Sequence, residues 1–296
     1  MSLVRLNNLG MAFGGQEVFR ALNARIDAGD HIGLVGRNGT GKTTLLRLII
    51  GEIQPLEGHI AASPGLKIGY LPQHEEYPPG QTVFSTVYAG LGELHRVERE
   101  LRRCETAVDK SVRTGGEESE RNAMRYAELL DRFQVLGGST AEARIAELLR
   151  GLAVPERIWH NEMSTLSGGE RNLVGLARIL IGDHDLMLLD EPGNHLDFSG
   201  LEWLENFLGT HRKAFVIVSH NRYTLDRVCN CIWELDRGRL DEYTGNYSEY
   251  RARKLSKQLA QEARYRRAQK EIERLKFNIQ RLKAWSLVYP ESVNNV

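Results

Sequence analysis

Gly36-Arg37-Asn38-Gly39-Thr40-Gly41-Lys42-Thr43 stands between two apolar runs, His31 to Val35 before it and Thr44 to Ile50 after it. The first run reads as a strand and the second as a helix, so the glycine-rich stretch is a strand-to-helix turn. Its spacing, G-x-x-x-x-G-K-[ST], is that of a loop that cradles phosphate. Gly36, Gly39 and Gly41 permit main-chain turns that a side chain would block. Consecutive N–H groups then point inward, and the helix start adds partial positive charge. Lys42 is placed to reach β- and γ-phosphates, and the Thr43 hydroxyl to ligate Mg²⁺. The plainer reading is a glycine-rich turn with a surface lysine. The strand before and the helix after are the context that the phosphate reading requires.

Further along the chain, apolar runs again end in chemistry-bearing residues. Lys67 to Leu71 reads as a short strand, and Gln73 follows Pro72, where it can ligate Mg²⁺ or position a water. Leu186 to Leu189 is wholly apolar, as in a buried parallel strand. Asp190 and Glu191 follow at its carboxyl end, where open α/β sheets place ligands. Adjacent carboxylates on a strand point to opposite sides, so one is expected to hold a metal while the other activates water. Phe215 to Val218 repeats the pattern and ends in Ser219 and His220. With phosphate, metal and base chemistry already at strand ends, His220 is read as catalytic rather than structural.

Upstream, Leu3–Leu6 and Leu22–Ile26 read as short strands, with Phe13 beside a turn at Gly14-Gly15, where it either stacks on a base or fills a core. Gly51 closes the first helix and Pro55–Gly58 reads as a turn. From about residue 83 to residue 159 the chain is helical and highly charged, with apolar residues three or four apart and breaks at Gly115-Gly116 and Gly137-Gly138. This stretch is expected to be a helical subdomain inserted into the α/β core. Ser167-Gly168-Gly169-Glu170 opens a helix whose apolar face includes Leu173, Leu176, Ala177 and Leu180. It reads either as a second anion site or as a glycine-rich helix start with Ser167 as an ordinary N-cap. Cys231 to Leu235 is a last strand, ending in a turn at Asp236, Arg237 and Gly238. The Cys229-x-Cys231 pair belongs to that buried strand rather than to a metal site, since a second ligand pair is missing.

The 296 residues are 41% hydrophobic, enough for a sizeable core, and carry no net charge. That zero conceals an asymmetry. Between Tyr250 and Ala284 twelve Lys or Arg face only Glu262, Glu271 and Glu273, so this stretch carries nine surplus positive charges and the remainder nine negative. A basic appendage on an acidic body is implied. Within it, Ala268, Ile272, Leu275, Ile279 and Leu282 are spaced as a short coiled-coil seam that needs a partner helix, with Pro290 as its end. The first residues lack the apolar stretch of a signal peptide, and no run of 18 apolar residues offers a membrane span; a cytoplasmic protein is expected.

Taken in order, GRNGTGKT, Gln73, LSGGE, LMLLDE, NHLD and His220 resemble the nucleotide-binding domain of the ATP-binding cassette (ABC) superfamily over about residues 1–240. The resemblance implies a P-loop NTPase of α/β class with a helical subdomain at about 83–180, followed by a basic helical linker over 241–296. It implies ATP and Mg²⁺ as ligands. The nucleotide would be held by Phe13, stacking on the base, and by Gly36, Arg37, Asn38, Gly39, Thr40, Gly41, Lys42, Thr43 and Thr44. Mg²⁺ would be held by Thr43, Gln73 and Asp190, with Glu191 as general base and His220 at the γ-phosphate. Ser167, Gly168, Gly169 and Glu170 would be the signature acting in trans, and Asn194–Asp197 the loop at the dimer interface.

DEPGNHLD, VSHNRYTLD and YTGNYSEYRARK are more closely similar to stretches of the ABC-F family, ribosome-associated factors of translation and antibiotic resistance that have two cassettes joined by a basic helical linker. Gly193 and Asn221 depart from that pattern, which usually has Thr and Asp there; neither is a presumed metal ligand or base. The implied partners are a second ATP-binding cassette, from the same or another chain, and the ribosome or its RNA. The alternative is the ATPase subunit of an ABC membrane transporter, which has no use for a basic helical tail.

Overall fold

A short helix, α1 (Lys42–Ile49), fills the space between two sheets and explains why the loop before it is held so firmly. The computed structural model describes residues 1–73, 77–111 and 117–288, with the side chains of 109–111, 117–119 and 282–288 not described. The expected break at Gly115-Gly116 and the expected end at Pro290 lie outside the described residues, as do the side chains of Leu282 and Lys283. The chain divides into two units, Met1–Tyr247 and Ser248–Val296.

In the first unit, β1 (Ser2–Phe13) and β2 (Gln16–Asp27) form an antiparallel hairpin, and β4 (Glu57–Ala62) pairs with the other edge of β1. The second sheet has the order β5-β6-β7-β3-β8-β9. Its strands are β5 (Ile68–Leu71), β6 (Leu186–Asp190), β7 (Ala214–Val218), β3 (His31–Val35), β8 (Cys231–Asp236) and β9 (Arg239–Thr244). The first five run parallel and only β9 is antiparallel to its neighbour. Their carboxyl ends therefore share one side of the sheet, with β3 and its glycine-rich loop near the middle.

Leu45, Leu46, Leu48 and Ile49 of α1 are buried together with Val4, Leu6, Phe19 and Ile26 of the hairpin and with Leu34, Leu188, Val216 and Trp233 of the larger sheet. Each such side chain contributes about 1.5–3 kcal/mol on burial, so the helix is clamped from both sides. Met187, Leu189, Phe215 and Ile217 alternate with the core-facing residues and are equally buried.

Between β5 and β6 lie the helices α2 (Val83–Ala89), α3 (Glu93–Ser111), α4 (Glu117–Val135), α5 (Ala141–Gly151) and α6 (Gly168–Ile181). α3 and α4 close on Val97, Cys104 and Leu129, which form a small core of their own. α7 (Phe198–Thr210) and α8 (Arg222–Val228) follow β6 and β7. All three cysteines are free; burial pushes the Cys231 thiol up to about 12, and no group of three or more His, Cys, Asp or Glu among the described residues forms a metal site. The second unit is the body of one long helix, α9 (Tyr247–Val288). No helix of the described residues is long and apolar enough to cross a membrane.

Several sequence expectations are corrected. The strand expected over Cys231–Leu235 is not the last, since β9 follows and pairs back on it, and Cys229 lies outside it at the end of α8. The first two strands are twelve residues long rather than short. Their register shifts near Asn8 and Ala21, both left-handed at φ 48 and 51, and these bulges break the alternation that marks a strand. Of the turn expected at Pro55–Gly58, Glu57 and Gly58 already belong to β4, an exposed strand with no apolar face to announce it.

Burial gives three histidines of this unit a pH-dependent contribution to stability. The ring Nε2 atoms of His31, His184 and His211 are buried without a hydrogen-bond partner among the described residues, and desolvation holds all three imidazoles below their usual pKa. A lowered folded pKa means that the unfolded chain takes up protons first. The stability that these three groups contribute is therefore fully present above the unfolded pKa of about 6.5 and is lost as pH falls from there through the folded values. We expect the thermal midpoint to drop between pH 7.5 and 5.5, and His184→Gln to lose less on the same acidification. Equal losses in parent and variant, followed by calorimetry, would contradict this origin.

Candidate functional site

The glycine loop folds as its spacing demands. A Cβ on Gly36 would lie 2.4 Å from the Leu235 carbonyl oxygen, so only glycine lets the loop leave β3 beside β8. Gly41 sits at φ 99 as the N-cap of α1, and a Cβ there would meet Val18 and Phe19. No side chain caps this helix and no acid lies in its first turn, so its orphan N–H groups and the positive end of its dipole face the cleft uncompensated. The buried Lys42 ammonium donates to the carbonyls of Gly36 and Arg37, both at 3.0 Å. Desolvation lowers its pKa, opposed by Glu191 and Asp190.

The cleft in front of this loop measures about 920 Å³. Thr43 Oγ1 donates to Asp190 Oδ2 at 2.7 Å. Asp190 is only 5% exposed, and burial pushes its carboxyl up against the opposing pull of Thr43 and Lys42. Glu191 Oε1 lies 3.2 Å from His220 Nε2, and burial raises this carboxyl too, with His220 acting against the rise.

The expectation that the two acids point to opposite sides is corrected here. Strand β6 ends at Asp190, and Glu191 adopts a left-handed φ of 53, its N–H held by the Val218 carbonyl at 2.9 Å. That turn swings its side chain to the same cleft as Asp190. A non-glycine residue in this conformation stores about 1–3 kcal/mol of strain, and such strain gathers at working sites.

Phe13, half exposed at the end of β1, lines the cleft, as do Gln73 and the loop from Arg37 to Thr44; Gly36 is not among the lining residues. The Gln73 carbonyl accepts from Asn172 Nδ2 at 3.2 Å, tying this segment to α6. Ser167, Gly168, Gly169 and Glu170 are not brought to the cleft. Ser167 instead caps α6 in a reciprocal box: Glu170 N donates to Ser167 Oγ at 3.3 Å, and Ser167 N to Glu170 Oε2 at 2.9 Å. Of the Asn194–Asp197 loop, Asn194 reaches the cleft, the His195 ring packs against Gly169, and Asp197 caps α7 through Gly200 N at 2.8 Å.

The sequence reading missed Gln16, Glu17 and Val18 on β2 and the Asp236–Gly238 turn, all lining the same cleft. The turn carried a usable signal, since it closes a strand parallel to β3 and so ends on the ligand side of the sheet.

These donors fit a nucleoside triphosphate with Mg²⁺. Uncapped N–H groups and a buried ammonium suit phosphate oxygens, and a threonine hydroxyl paired with one aspartate offers the few hard oxygens that Mg²⁺ takes alongside phosphates.

A family model described as ABC transporter matches residues 19–194, and a second of the same description matches residues 233–288. The tylosin resistance ATP-binding protein TlrC of Streptomyces fradiae is 34% identical over 274 residues, covering 92% of this chain and 50% of that protein. ABC transporter F family member 2 of Arabidopsis thaliana is 34% identical over 289 residues, 95% of this chain and 41% of that protein. The chain spans about half the length of the curated relatives it matches. Among solved structures, an ATP-binding subunit of an ABC transporter superposes with a TM-score of 0.60 at 20% identity, over 82% of this chain and 90% of that one.

Proposed function

The chain belongs to the ABC transporter family, and from that premise we propose that it is one ATP-binding cassette of an ABC-F type protein, an ATPase that works with a second cassette and acts on the ribosome in translation or antibiotic resistance. One observation carries the ATPase reading: Lys42, Thr43, Gln73, Asp190, Glu191 and His220 come from four different strand ends and meet in one cleft. Lys42 and the N–H groups of the glycine loop hold the phosphates. Thr43, Gln73 and Asp190 would hold Mg²⁺, which would supply positive charge to neutralise the phosphates. Glu191 takes the proton of the attacking water, and His220 orients Glu191 and faces the γ-phosphate end. Most of the rate comes from position and fixed charge, as in other phosphoryl transfers. Phe13 stacks on the base. That Ser167 to Glu170 lie off this cleft supports a signature supplied to each ATP by the second cassette, of the same protein or another chain.

The ribosomal part rests on the F-family and resistance relatives and on α9. Arg264, Arg267 and Lys270 are exposed and make no ion pair among the described residues; Arg266 meets Glu262 at 3.7 Å. Exposed Ile272, Leu275 and Ile279 lie along the same helix, in a seam that suits a partner helix and leaves other faces for phosphates. Backbone contacts of this kind release counterions, so RNA affinity falls steeply with salt. Replacing Arg264, Arg266, Arg267 and Lys270 by Gln is expected to weaken ribosome and RNA binding and to flatten the salt slope by about one unit per lost contact. The experiment is co-sedimentation with ribosomes at two salt concentrations, parent and fourfold variant side by side. Equal binding by both would move the transporter-subunit reading ahead.

A further inference from the structure

We propose that Arg237 is a further nucleotide-contacting residue, placed at the base and ribose end of the cleft; the assignment rests on the nucleotide reading above. Strands β8 and β9 are joined by Arg237 and Gly238 alone, with Asp236 paired to Arg239. Both joining residues are left-handed, at φ 48 and 75. Two positive φ values in a two-residue hairpin make a type I′ turn, whose first position favours Asn, Asp or Gly. An arginine there is strained. Its side chain makes no hydrogen bond or ion pair with any described residue, Glu17 and Asp236 at the same end of the cleft included. Yet it lines the same cleft as Phe13 and Gln16. The turn is pinned in that place, because Arg20 N donates to the Gly238 carbonyl at 3.3 Å and Gly238 packs on Val18.

Strand order says which part of the ligand Arg237 meets. Gln73, Asp190 and His220 follow β5, β6 and β7, the phosphate loop follows β3, and Arg237 follows β8 on the other side of β3. Parallel strands step by about 4.8 Å, so the metal and base residues and Arg237 flank the phosphate loop from opposite directions. A nucleotide with its phosphates on the loop and its γ end toward Glu191 directs its ribose and base toward Arg237 and Phe13. A guanidinium suits that end, since its plane stacks on a purine and its fork donates to ring and sugar acceptors.

The turn itself supplies a clean variant. Arg237→Asn installs a residue the I′ turn favours, so its thermal midpoint is expected to equal or exceed the parent's. Its dissociation constants for ATP and ADP are expected to rise about 5–10-fold, while inorganic triphosphate competes as it does with the parent. Arg237→Gly, also accepted by the turn, is expected to show the same loss. Unchanged ATP and ADP affinity in both variants, against a parent that binds them, overturns this assignment alone. Weakened triphosphate binding overturns the base-end placement. A parent that binds neither nucleotide overturns the functional reading and this one with it.

Discussion

Glu191→Gln is expected to lower ATP turnover by about 10²–10⁴-fold while ATP binding persists. The amide keeps the length and branching of the carboxylate and can still meet His220, 3.2 Å away in the parent, but it cannot accept a proton from water. Burial raises the Glu191 carboxyl above the ordinary carboxylate range, which moves a base toward neutral pH, and the left-handed turn holds it on the same cleft as Asp190. Phosphate release is followed for parent and variant at the same micromolar concentration, so that association is equally open to both, and a nucleotide titration accompanies it. A Gln variant that turns over at the parent rate places the base elsewhere.

Lys42→Ala is expected to weaken ATP binding by about 1.5–3 kcal/mol, roughly 10- to 150-fold. The ammonium is buried, and its hydrogen bonds among the described residues go to the Gly36 and Arg37 carbonyls, two loop oxygens that a triphosphate can outcompete as a partner. Its desolvation is already met in the folded chain, so a phosphate gains a charge with little water left to strip. ADP, lacking the γ-phosphate, is expected to lose less. A fluorescent-nucleotide titration measures both, and an unchanged ATP affinity would show that the glycine loop is not the site.

The cleft was legible where its chemistry is local. Glycines at 36, 39 and 41, the lysine after them and the flanking strand and helix are neighbours in the chain, so their spacing alone specifies the loop. Leu186 to Leu189 announced a strand buried on both faces, and every residue of it is. What escaped reading depends on neighbours that are distant in sequence. Strand β4 is exposed and pairs only with β1, so no apolar pattern marks it. Glu191 was misplaced because the end of β6 is set by a hydrogen bond to Val218 on β7, not by the residues around it. Arg237 looked like any hairpin turn until the strand order brought β8 beside β3.

Photolabelling with 8-azido-ATP in the presence of Mg²⁺, followed by peptide mapping, tests most directly whether this cleft is an ATP site. The azide reports where the base lies, so label is expected within residues 13–18 or on the Asp236–Gly238 turn, suppressed by excess ATP and strongly reduced in Lys42→Ala. Label confined to other peptides, or label that excess ATP does not displace, would contradict it.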